Sequence, residues 1–440
     1  MSIEEIYSRY LECGGQVTTD SRAIKGGELF IALKGENFDG NAYALKALEA
    51  GAAYAMVCEG SDAARADDAR LIVVGDTLEA LRDLARHHRR NCLAGKHLPV
   101  LGLTGTNGKT TTKNLIREVL SRKYRVCATE GNFNNDIGVP LSLLKIRPDT
   151  ELAVIEMGAN HPDDIARLVE VCEPDCGVIT NVGKAHLLGF GSFEGVKRAK
   201  GQLYDWIAAR GGEVFVNTGS PDLCEMAASR PALRTIPYGL ECDGAAVIPP
   251  TPEHPFLSVR LGETVINTHL VGAYNALNVL AALKVGSYFG VPQDEAVAAV
   301  EGFVPANNRS QMQRTDRNVL ILDAYNANPS SMGVALESFS SLIAPKKVAL
   351  LGDMRELGDN SVREHAAVIE RLQASDFKAY LVGEEFGKAL SLKGSCDAVL
   401  GHFPSSEALA QHLADHPLEG ACVLVKGSRG IEMEKVIPSL

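Results

Sequence analysis

The sequence predicts an α/β protein of three domains, with a small α/β first domain and two further domains built on mostly parallel sheets. A chain of 440 residues is longer than one domain usually is. Short apolar runs alternate with amphipathic stretches along almost its whole length, which is typical of strands and helices in turn. One apolar run, 100–103, enters a glycine-rich turn followed by a helical stretch at 113–120. That order is typical of a phosphate-binding loop in a parallel sheet.

The first predicted domain covers residues 1–96. Its strands are expected at 28–33, 54–57 and 71–74, and its helices at 42–50 and 78–88. The second covers residues 97–304, with strands at 100–103, 152–155, 177–180 and 213–216, an antiparallel segment at 257–270 and a helix at 275–289. The third covers residues 305–440, with strands at 319–322, 347–351, 379–382 and 422–425. Alternation with helices predicts a doubly wound sheet in the second domain and a Rossmann-like sheet in the third.

Composition and charge narrow the function classes. Hydrophobic residues make up 45% of the chain and charged residues 22%, as in ordinary globular proteins. A net charge of −11 without a basic run argues against nucleic acid as a main partner. Ten scattered cysteines lack metal-type spacing and predict reduced thiols. With neither a signal pattern nor a long apolar run, we expect a cytoplasmic protein without membrane insertion, and a monomer.

The glycine-rich turn predicts binding of a nucleoside triphosphate. Its residues are Thr104, Gly105, Thr106, Asn107, Gly108, Lys109, Thr110 and Thr111. Glycines let backbone N–H groups converge on phosphate oxygens, and the following helix contributes positive potential. Lys109 is expected to reach the terminal phosphates, and the Thr110 hydroxyl to ligate Mg²⁺. Leu103 stands where the common loop pattern has glycine, which argues against ordinary kinases and GTPases.

Other polar residues follow strands and are candidates for chemistry. Glu156 closes one strand beside the loop, where a carboxylate can hold Mg²⁺. From the residues alone, His186 is either structural or a ligand, and Lys200 is more typical of a solvated helix face. In the third domain, Asp323 and Asn326 either face a ligand or form a simple strand–turn–helix. The further candidates there are Arg309 near the hinge and a basic turn of Lys426, Ser428 and Arg429, which can clamp an anion.

These motifs resemble those of the Mur ligase family, over the whole chain and in the family's order. The loop at 104–110 is similar to that family's, including the missing early glycine. The resemblance implies that Glu156, His186 and Lys200 form a metal site for two Mg²⁺ ions, with Lys200 carbamylated. It also implies nucleotide contacts from Asn275, Asn278, Arg309, Asp323 and Asn326.

The segments 323–332, 351–358 and 426–429 resemble the branch of the family that adds D-alanyl-D-alanine. That resemblance implies an ATP-dependent ligase joining D-alanyl-D-alanine to UDP-N-acetylmuramoyl-tripeptide through an acyl phosphate. The third domain is then expected to bind the incoming dipeptide and close over ATP. Substrate-binding residues implied in this way are Asp20, Ser21, Arg22, Asn132, Asn134, Asn135, Asn328, Lys426, Ser428 and Arg429.

Four alternatives remain at this point. The branch that adds the third amino acid carries an Asp-Asn-Pro-Arg pattern, which is not found after Gly401. A folylpolyglutamate-synthetase-like enzyme usually lacks the first domain. A non-catalytic nucleotide-binding regulator would not need Lys109, Glu156 and Lys200 together, and an ordinary P-loop phosphotransferase does not explain the third domain. Two departures from the family pattern, Asn41 and the pair Asn307–Asn308, remove no group that the chemistry needs.

Overall fold

The computed structural model describes residues 1–35, 38–93, 95–251, 254–305, 309–394 and 396–440. Within these ranges the chain is an α/β protein whose main sheets are largely parallel, which confirms the predicted fold class. The expected connector at 92–96 includes Ala94, which lies outside the described residues, as do Asn307 and Asn308. The exact domain boundaries stay predictions.

The first part of the chain forms a four-stranded parallel sheet in the order β1-β2-β5-β6, beside a two-stranded antiparallel pair, β3-β4. Its elements are α1 (Ile3–Glu12), β1 (Val17–Thr18), β2 (Leu29–Ile31), β3 (Lys34–Gly35), β4 (Phe38–Asp39), α2 (Ala44–Glu49), β5 (Tyr54–Cys58), β6 (Leu71–Val74) and α3 (Thr77–Asn91). Ser2 caps α1 and Asp76 caps α3, each accepting backbone N–H groups that the first helical turn leaves free. The helix expected from residue 42 begins as a 3₁₀ turn, and its α-helical part starts at Ala44.

The middle of the chain forms a six-stranded parallel sheet in the order β12-β11-β10-β7-β9-β8, followed by an antiparallel three-stranded sheet, β13-β14-β15. Its elements are β7 (Val100–Thr104), α4 (Lys109–Leu120), β8 (Val126–Ala128), α5 (Gly138–Leu143), β9 (Leu152–Glu156), α6 (Asp164–Cys172), β10 (Cys176–Ile179), α7 (Leu187–Phe190), α8 (Phe193–Ala208), β11 (Glu213–Asn217), α9 (Pro221–Ala228), β12 (Arg234–Tyr238), β13 (Ala245–Ile248), β14 (Ser258–Leu261), β15 (Thr264–Asn267), α10 (Asn275–Tyr288) and α11 (Gln293–Glu301).

The last part forms a second six-stranded sheet in the order β16-β17-β21-β18-β19-β20, with β16 antiparallel at one edge. Its elements are β16 (Gln311–Arg314), β17 (Val319–Asp323), α12 (Pro329–Ser340), β18 (Lys347–Gly352), α13 (Ser361–Gln373), β19 (Lys378–Val382), α14 (Glu384–Lys393), β20 (Val399–Phe403), α15 (Ser406–Asp415) and β21 (Cys422–Lys426). Helices alternate with its parallel strands, as predicted for a Rossmann-like domain.

The sequence prediction missed strands at the edges of the sheets, including β12 and β8 of the middle sheet. β12 contains Pro237 and has a largely solvated first half, and β8 is three half-buried residues long. Proline is tolerated at sheet edges because its missing N–H then breaks no ladder, and such strands carry little apolar signal. The prediction was also wrong about the start of α4, which begins at Lys109 rather than Lys113.

The central strands of the middle sheet place the predicted site. β7, β9 and β10 are buried along their whole length because helices cover both faces of the sheet. All three are parallel neighbours, so their carboxyl ends meet at one edge of the sheet. That edge carries Thr104, Glu156 and Thr180.

Two further observations concern the whole described chain. Among the helices of the described residues, none has both the length and the apolar character needed to cross a bilayer. All ten cysteines are unpaired thiols, and burial raises the pKa of Cys127 to about 11.

Candidate active site

The phosphate loop lies between β7 and α4 in a backbone shape that depends on two glycines. Gly105 has φ 151° and Gly108 has φ 76°. A Cβ atom on Gly105 would lie 1.9 Å from Thr180 Oγ1, and one on Gly108 would lie 2.9 Å from Asn278 Oδ1. Since side chains neither fit nor readily adopt these angles, both positions require glycine.

The end of the neighbouring strand, β10, holds the loop in place. Asn181 accepts the Thr106 N–H on its carbonyl at 3.0 Å and the Asn107 N–H on Oδ1 at 2.9 Å. Thr180 Oγ1 donates to the Asn107 carbonyl at 2.6 Å, and the Gly183 N–H donates to Thr106 Oγ1 at 3.0 Å. The segment after β10 therefore supports the phosphate loop. The sequence did not predict this role for Asn181, because its position after a strand does not show which residues it contacts.

Lys109 is the first residue of α4 and folds back over the loop. Its Nζ donates to the carbonyl oxygens of Gly105 at 2.8 Å and Thr106 at 3.1 Å. Burial lowers the pKa of Lys109, whereas nearby Glu156 raises it and Arg309 lowers it. The ammonium is thus already at the loop that is predicted to receive phosphates.

Glu156 is a buried carboxylate with one oxygen engaged and one free. Oε1 accepts from Thr110 Oγ1 at 3.2 Å and from Asn134 Nδ2 at 2.8 Å. Oε2 is buried without a hydrogen-bond partner among the described residues, and so is Thr104 Oγ1. Orphaned buried oxygens are rare because desolvation without a partner is costly. A hydroxyl and a carboxylate meeting beside a phosphate loop are the donor set that suits Mg²⁺.

Lys113 is a site residue that the sequence analysis did not single out. It lies one helical turn after Lys109 and is 2% exposed. Its Nζ donates to the Thr129 carbonyl at 2.5 Å and lies 3.9 Å from Glu156 Oε2. Burial lowers the pKa of Lys113, and Glu156 opposes this. The i, i+4 spacing from Lys109 was the available signal, because it places both side chains on one face of the helix.

We expect Lys113→Met to weaken both the fold and substrate binding. Removing a buried donor leaves the Thr129 carbonyl unpaired and Glu156 without its nearby cation, at a cost of about 1–3 kcal/mol. Thr129 lies just before Asn132, Asn134 and Asn135, which are implied to bind substrate, so the KM for the peptide substrate should rise. Thermal unfolding and steady-state kinetics measure the two effects.

Lys347→Met is the matched control for this prediction. Lys347 is also a buried lysine that donates to backbone carbonyls, at 2.8 Å to Ser340 and 3.1 Å to Leu342, and it lies on β18 away from Glu156. It should lose stability with an unchanged KM. Equal KM values in both variants and the parent protein would contradict a role for Lys113 at the site.

His186 and Lys200 form the other half of the predicted metal site. His186 immediately precedes α7 and has φ 51°, and its Nδ1 contacts Oε2 of Glu356, which follows β18. Burial lowers the pKa of His186, Glu356 raises it, and both Lys109 and Lys200 lower it. Lys200, on α8, is 2% exposed rather than solvated. Burial lowers the pKa of Lys200 well below its ordinary value, Lys109 lowers it further, and Asp164 raises it.

That His186 and Lys200 together hold a metal ion stays a prediction. No group of three or more His, Cys, Asp or Glu side chains arranged to hold a metal occurs within the described ranges. The predicted set differs from such a group because it combines Thr, Glu, His and Lys.

Asn275 and Asn278 lie behind the loop on α10, which packs along α4. Asn278 accepts from Thr112 Oγ1 at 2.9 Å and donates to Asn275 Oδ1 at 2.8 Å, and Asn275 Nδ2 donates to the Val271 carbonyl at 2.8 Å. In this structure Asn278 bonds to α4 just after the loop, and Asn275 holds Asn278 within the core. Their contact with nucleotide stays a prediction.

The last sheet brings its predicted residues together at the carboxyl ends of β17 and β21. Lys426, 1% exposed, donates to Asp323 Oδ2 at 2.6 Å, and Ser428 Oγ donates to the Ala327 carbonyl at 3.2 Å. Asn326 Oδ1 accepts the N–H of the next residue at 2.9 Å. Lys426 and Ser428 therefore fix the shape of this edge, and substrate contact by either stays a prediction.

Two arginines lie near the ring of Tyr325 at the same edge. The Arg309 guanidinium lies 3.4 Å from its ring centroid, and that of Arg429 lies 5.7 Å away. Asn328 caps α12, and its Nδ2 donates to Asn107 Oδ1 of the phosphate loop at 2.8 Å. This hydrogen bond joins the start of α12, in the last domain, directly to the phosphate loop.

The other residues implied to bind substrate, at 20–22 and 132–135, lie outside the β-strands and α-helices. Asp20 caps a 3₁₀ turn and pairs with exposed Arg22, and Ser21 begins that turn. Asn132 is exposed, whereas Asn134 contacts Glu156 and Asn135 Oδ1 accepts the Gly138 N–H at 2.8 Å. Only Asn134 among them reaches the catalytic candidates.

Comparison with known proteins identifies the class. Residues 15–89 match the Mur ligase family, catalytic domain; residues 103–286 match the Mur ligase middle domain; and residues 308–429 match the Mur ligase, glutamate ligase domain. The chain belongs to the Mur ligase family.

Two of its curated relatives share one name. The UDP-N-acetylmuramoyl-tripeptide–D-alanyl-D-alanine ligases of Bacillus subtilis and Escherichia coli are 34% and 33% identical to it. Each alignment covers 96% of this chain, with 92% and 93% of the two relatives. The crystal structure of MurF from Acinetobacter baumannii has a TM-score of 0.84 at 29% identity, covering 97% of this chain and 93% of that one. MurF from Thermotoga maritima in complex with ADP also has a TM-score of 0.84, at 26% identity, covering 96% of both chains.

Proposed function

We propose that this protein is an ATP-dependent ligase that joins D-alanyl-D-alanine to UDP-N-acetylmuramoyl-tripeptide, a step in making the peptidoglycan precursor. The observation that carries the proposal is the convergence of Lys109, Thr110 and Glu156 at the phosphate loop, to which Asn328, the N-cap of α12 in the last domain, is bonded. Relatives of this name align with nearly the whole chain. ATP use agrees with the likeness to a structure that holds ADP.

The reaction requires activation of a carboxylate, which is a poor acyl donor. The γ-phosphoryl group of ATP is transferred to the tripeptide carboxylate, giving an acyl phosphate and ADP. The amine of D-alanyl-D-alanine then attacks the carbonyl carbon, and phosphate leaves from the tetrahedral intermediate. The protein acts mainly by positioning these groups and by neutralising charge.

Lys109 is the residue placed to follow the transferring phosphoryl group. In the structure it satisfies two loop carbonyls, and we propose that it turns to the phosphate oxygens when ATP binds. The loop N–H groups and the start of α4 add positive potential at the same place. Asn134, one of the residues implied to bind substrate, donates a hydrogen bond to Glu156 and so links the peptide-binding residues to the site.

The residues fit one Mg²⁺ directly and a second after a modification. Thr110 and the free oxygen of Glu156 would hold the first, and His186 with Lys200 the second. A neutral lysine amine reacts with CO₂ to give a carbamate and a proton, and the lowered pKa of Lys200 favours that neutral form. Mg²⁺ would supply charge stabilisation for the phosphoryl group.

Other parts of the proposal concern the setting of the reaction. We propose that the third domain receives D-alanyl-D-alanine and closes over ATP, with Asp323, Asn326 and Arg309 facing the nucleotide. The position of Tyr325 supports this proposal. Tyr325 contacts Arg309 and lies three residues before Asn328, which is hydrogen-bonded to the phosphate loop. A monomer in the cytoplasm is the setting we propose; the unpaired cysteines suit a reducing compartment.

The test is phosphate release from ATP and Mg²⁺ with UDP-N-acetylmuramoyl-tripeptide, with and without D-alanyl-D-alanine. We expect release only with both, and a pentapeptide product by mass spectrometry. Release with a dipeptide precursor and a diamino acid would move the assignment to the branch that adds the third residue. No release with either pair would refute the ligase proposal.

A further inference from the structure

Glu356 connects the last domain to the predicted metal site. It lies in the segment 351–358, whose resemblance to the family branch assigned it no role of its own. It follows β18, and its Oε2 contacts Nδ1 of His186 at the start of α7. The Leu188 N–H points to the Glu356 carbonyl at 3.5 Å. The two segments are 170 residues apart in the chain, so only the tertiary structure joins them.

The backbone at this contact is unusual on both sides. His186 has φ 51° and Glu356 has φ 63°, angles that residues with a side chain adopt infrequently. Such conformations persist where the surrounding structure demands them, and they concentrate at functional sites. Two such residues meet at this contact, which indicates that the surrounding structure fixes their orientation and that the contact has a function.

The chemistry of histidine as a metal ligand suggests what that function is. A histidine that binds a metal through one ring nitrogen commonly donates the other N–H to a carboxylate, which fixes the tautomer and the ring orientation. With Nδ1–H donated to Glu356, the lone pair of His186 lies on Nε2. We propose that Glu356 is a positioning residue, brought by the third domain, which presents Nε2 of His186 to a metal ion.

This inference rests on the proposed function, because it assumes that His186 is a metal ligand. It adds that one of the two metal sites is complete only when the third domain is in contact with the middle one. Metal binding at His186 would then favour the closed arrangement of the domains by linkage.

The same interface offers a matched control. Lys184 Nζ lies 3.6 Å from Glu364 Oε1, an ion pair that joins the same two parts of the chain without touching His186. Glu364→Ala therefore removes an interdomain carboxylate and spares the histidine. Glu356→Gln keeps a carbonyl oxygen that can accept the Nδ1–H, and Glu356→Ala removes it.

The experiment is a Mn²⁺ titration of the full chain with ADP, followed by electron paramagnetic resonance, with spin-echo modulation to detect a coordinated imidazole nitrogen. We expect Glu356→Ala to weaken one Mn²⁺ site about 10–100-fold and to reduce the imidazole signal. Glu356→Gln should stay close to the parent protein, and Glu364→Ala should match it. Glu356 is 56% exposed, so the substitution removes little packing.

Two results would overturn the proposal. If Glu356→Ala binds Mn²⁺ as the parent protein does, the carboxylate does not position His186. If Glu364→Ala weakens Mn²⁺ binding equally, the effect comes from loss of the interface in general and not from His186. His186→Ala separates this failure from that of the proposed function. If His186→Ala weakens a site but Glu356→Ala does not, only the positioning role is lost. If His186→Ala has no effect, the second metal site itself is wrong, and the role of Glu356 is lost with it.

Discussion

Lys200→Ala is expected to lower kcat about 10²–10³-fold, the cost typical of removing one preorganised electrostatic group from an active site. Lys200 is buried and its pKa is lowered well below the ordinary value, so it does not act as a surface cation. If its carbamate is a metal ligand, a short carboxylic acid can fill the space left by alanine and supply the missing oxygens. We therefore expect acetate or propionate to restore part of kcat, without added bicarbonate, in the phosphate-release assay.

Lys197→Ala is the control for that experiment. Lys197 is on the same helix, α8, and forms ion pairs with Glu194, Asp222 and Glu225 instead of facing the loop. It should retain near-parent activity and respond to neither acid. Full activity in Lys200→Ala would remove Lys200 from the mechanism, and activity lost without rescue would refute the carbamate while leaving a role for the amine.

Lys109→Met is expected to lower kcat by about 10²–10³-fold, with a smaller loss of ADP affinity. Its Nζ lies at the loop and is the cation best placed to follow charge onto the transferring phosphoryl group. Methionine keeps the length of the side chain and removes the charge. Single-turnover formation of ADP with the tripeptide substrate measures the phosphoryl-transfer step, and calorimetry measures ADP binding.

Lys123→Met provides the comparison for Lys109. It follows the same helix and donates to the carbonyls of Phe289 and Gly290, far from the loop. A parent-like rate is expected. If Lys109→Met instead lowers ADP affinity and leaves kcat unchanged, the lysine serves binding in general and has no special role in the transition state.

The fold class and the phosphate loop could be predicted because their signals are local. Apolar runs of strand length report burial in a parallel sheet, and a strand, glycines and Gly-Lys-Thr report a loop that needs left-handed backbone angles. Gly105 and Gly108 have those angles. Edge strands such as β8 and β12 escaped because they face water on one side and carry little apolar pattern.

The candidate site was only partly visible in the chain. Glu156 followed from its position at a strand end, whereas His186 and Lys200 gained their interpretation from the family resemblance. Lys113 and Tyr325 were missed, although each lies within a motif that the sequence showed. Glu356 lies in the quoted segment 351–358, but nothing local showed its partner, because His186 is 170 residues away.

The sequence by itself determined the three-domain α/β architecture, the phosphate loop and the family, since these depend on periodicity and on residues close together in the chain. The tertiary structure alone decided which side chains lose their water. Burial turns Lys200, on α8, from an expected surface lysine into an amine whose pKa is strongly lowered. One oxygen of Glu156 is buried without a hydrogen-bond partner among the described residues, and packing between distant segments brings Glu356 to His186. Desolvation and contact between distant segments are properties of the folded chain, and no local pattern encodes them.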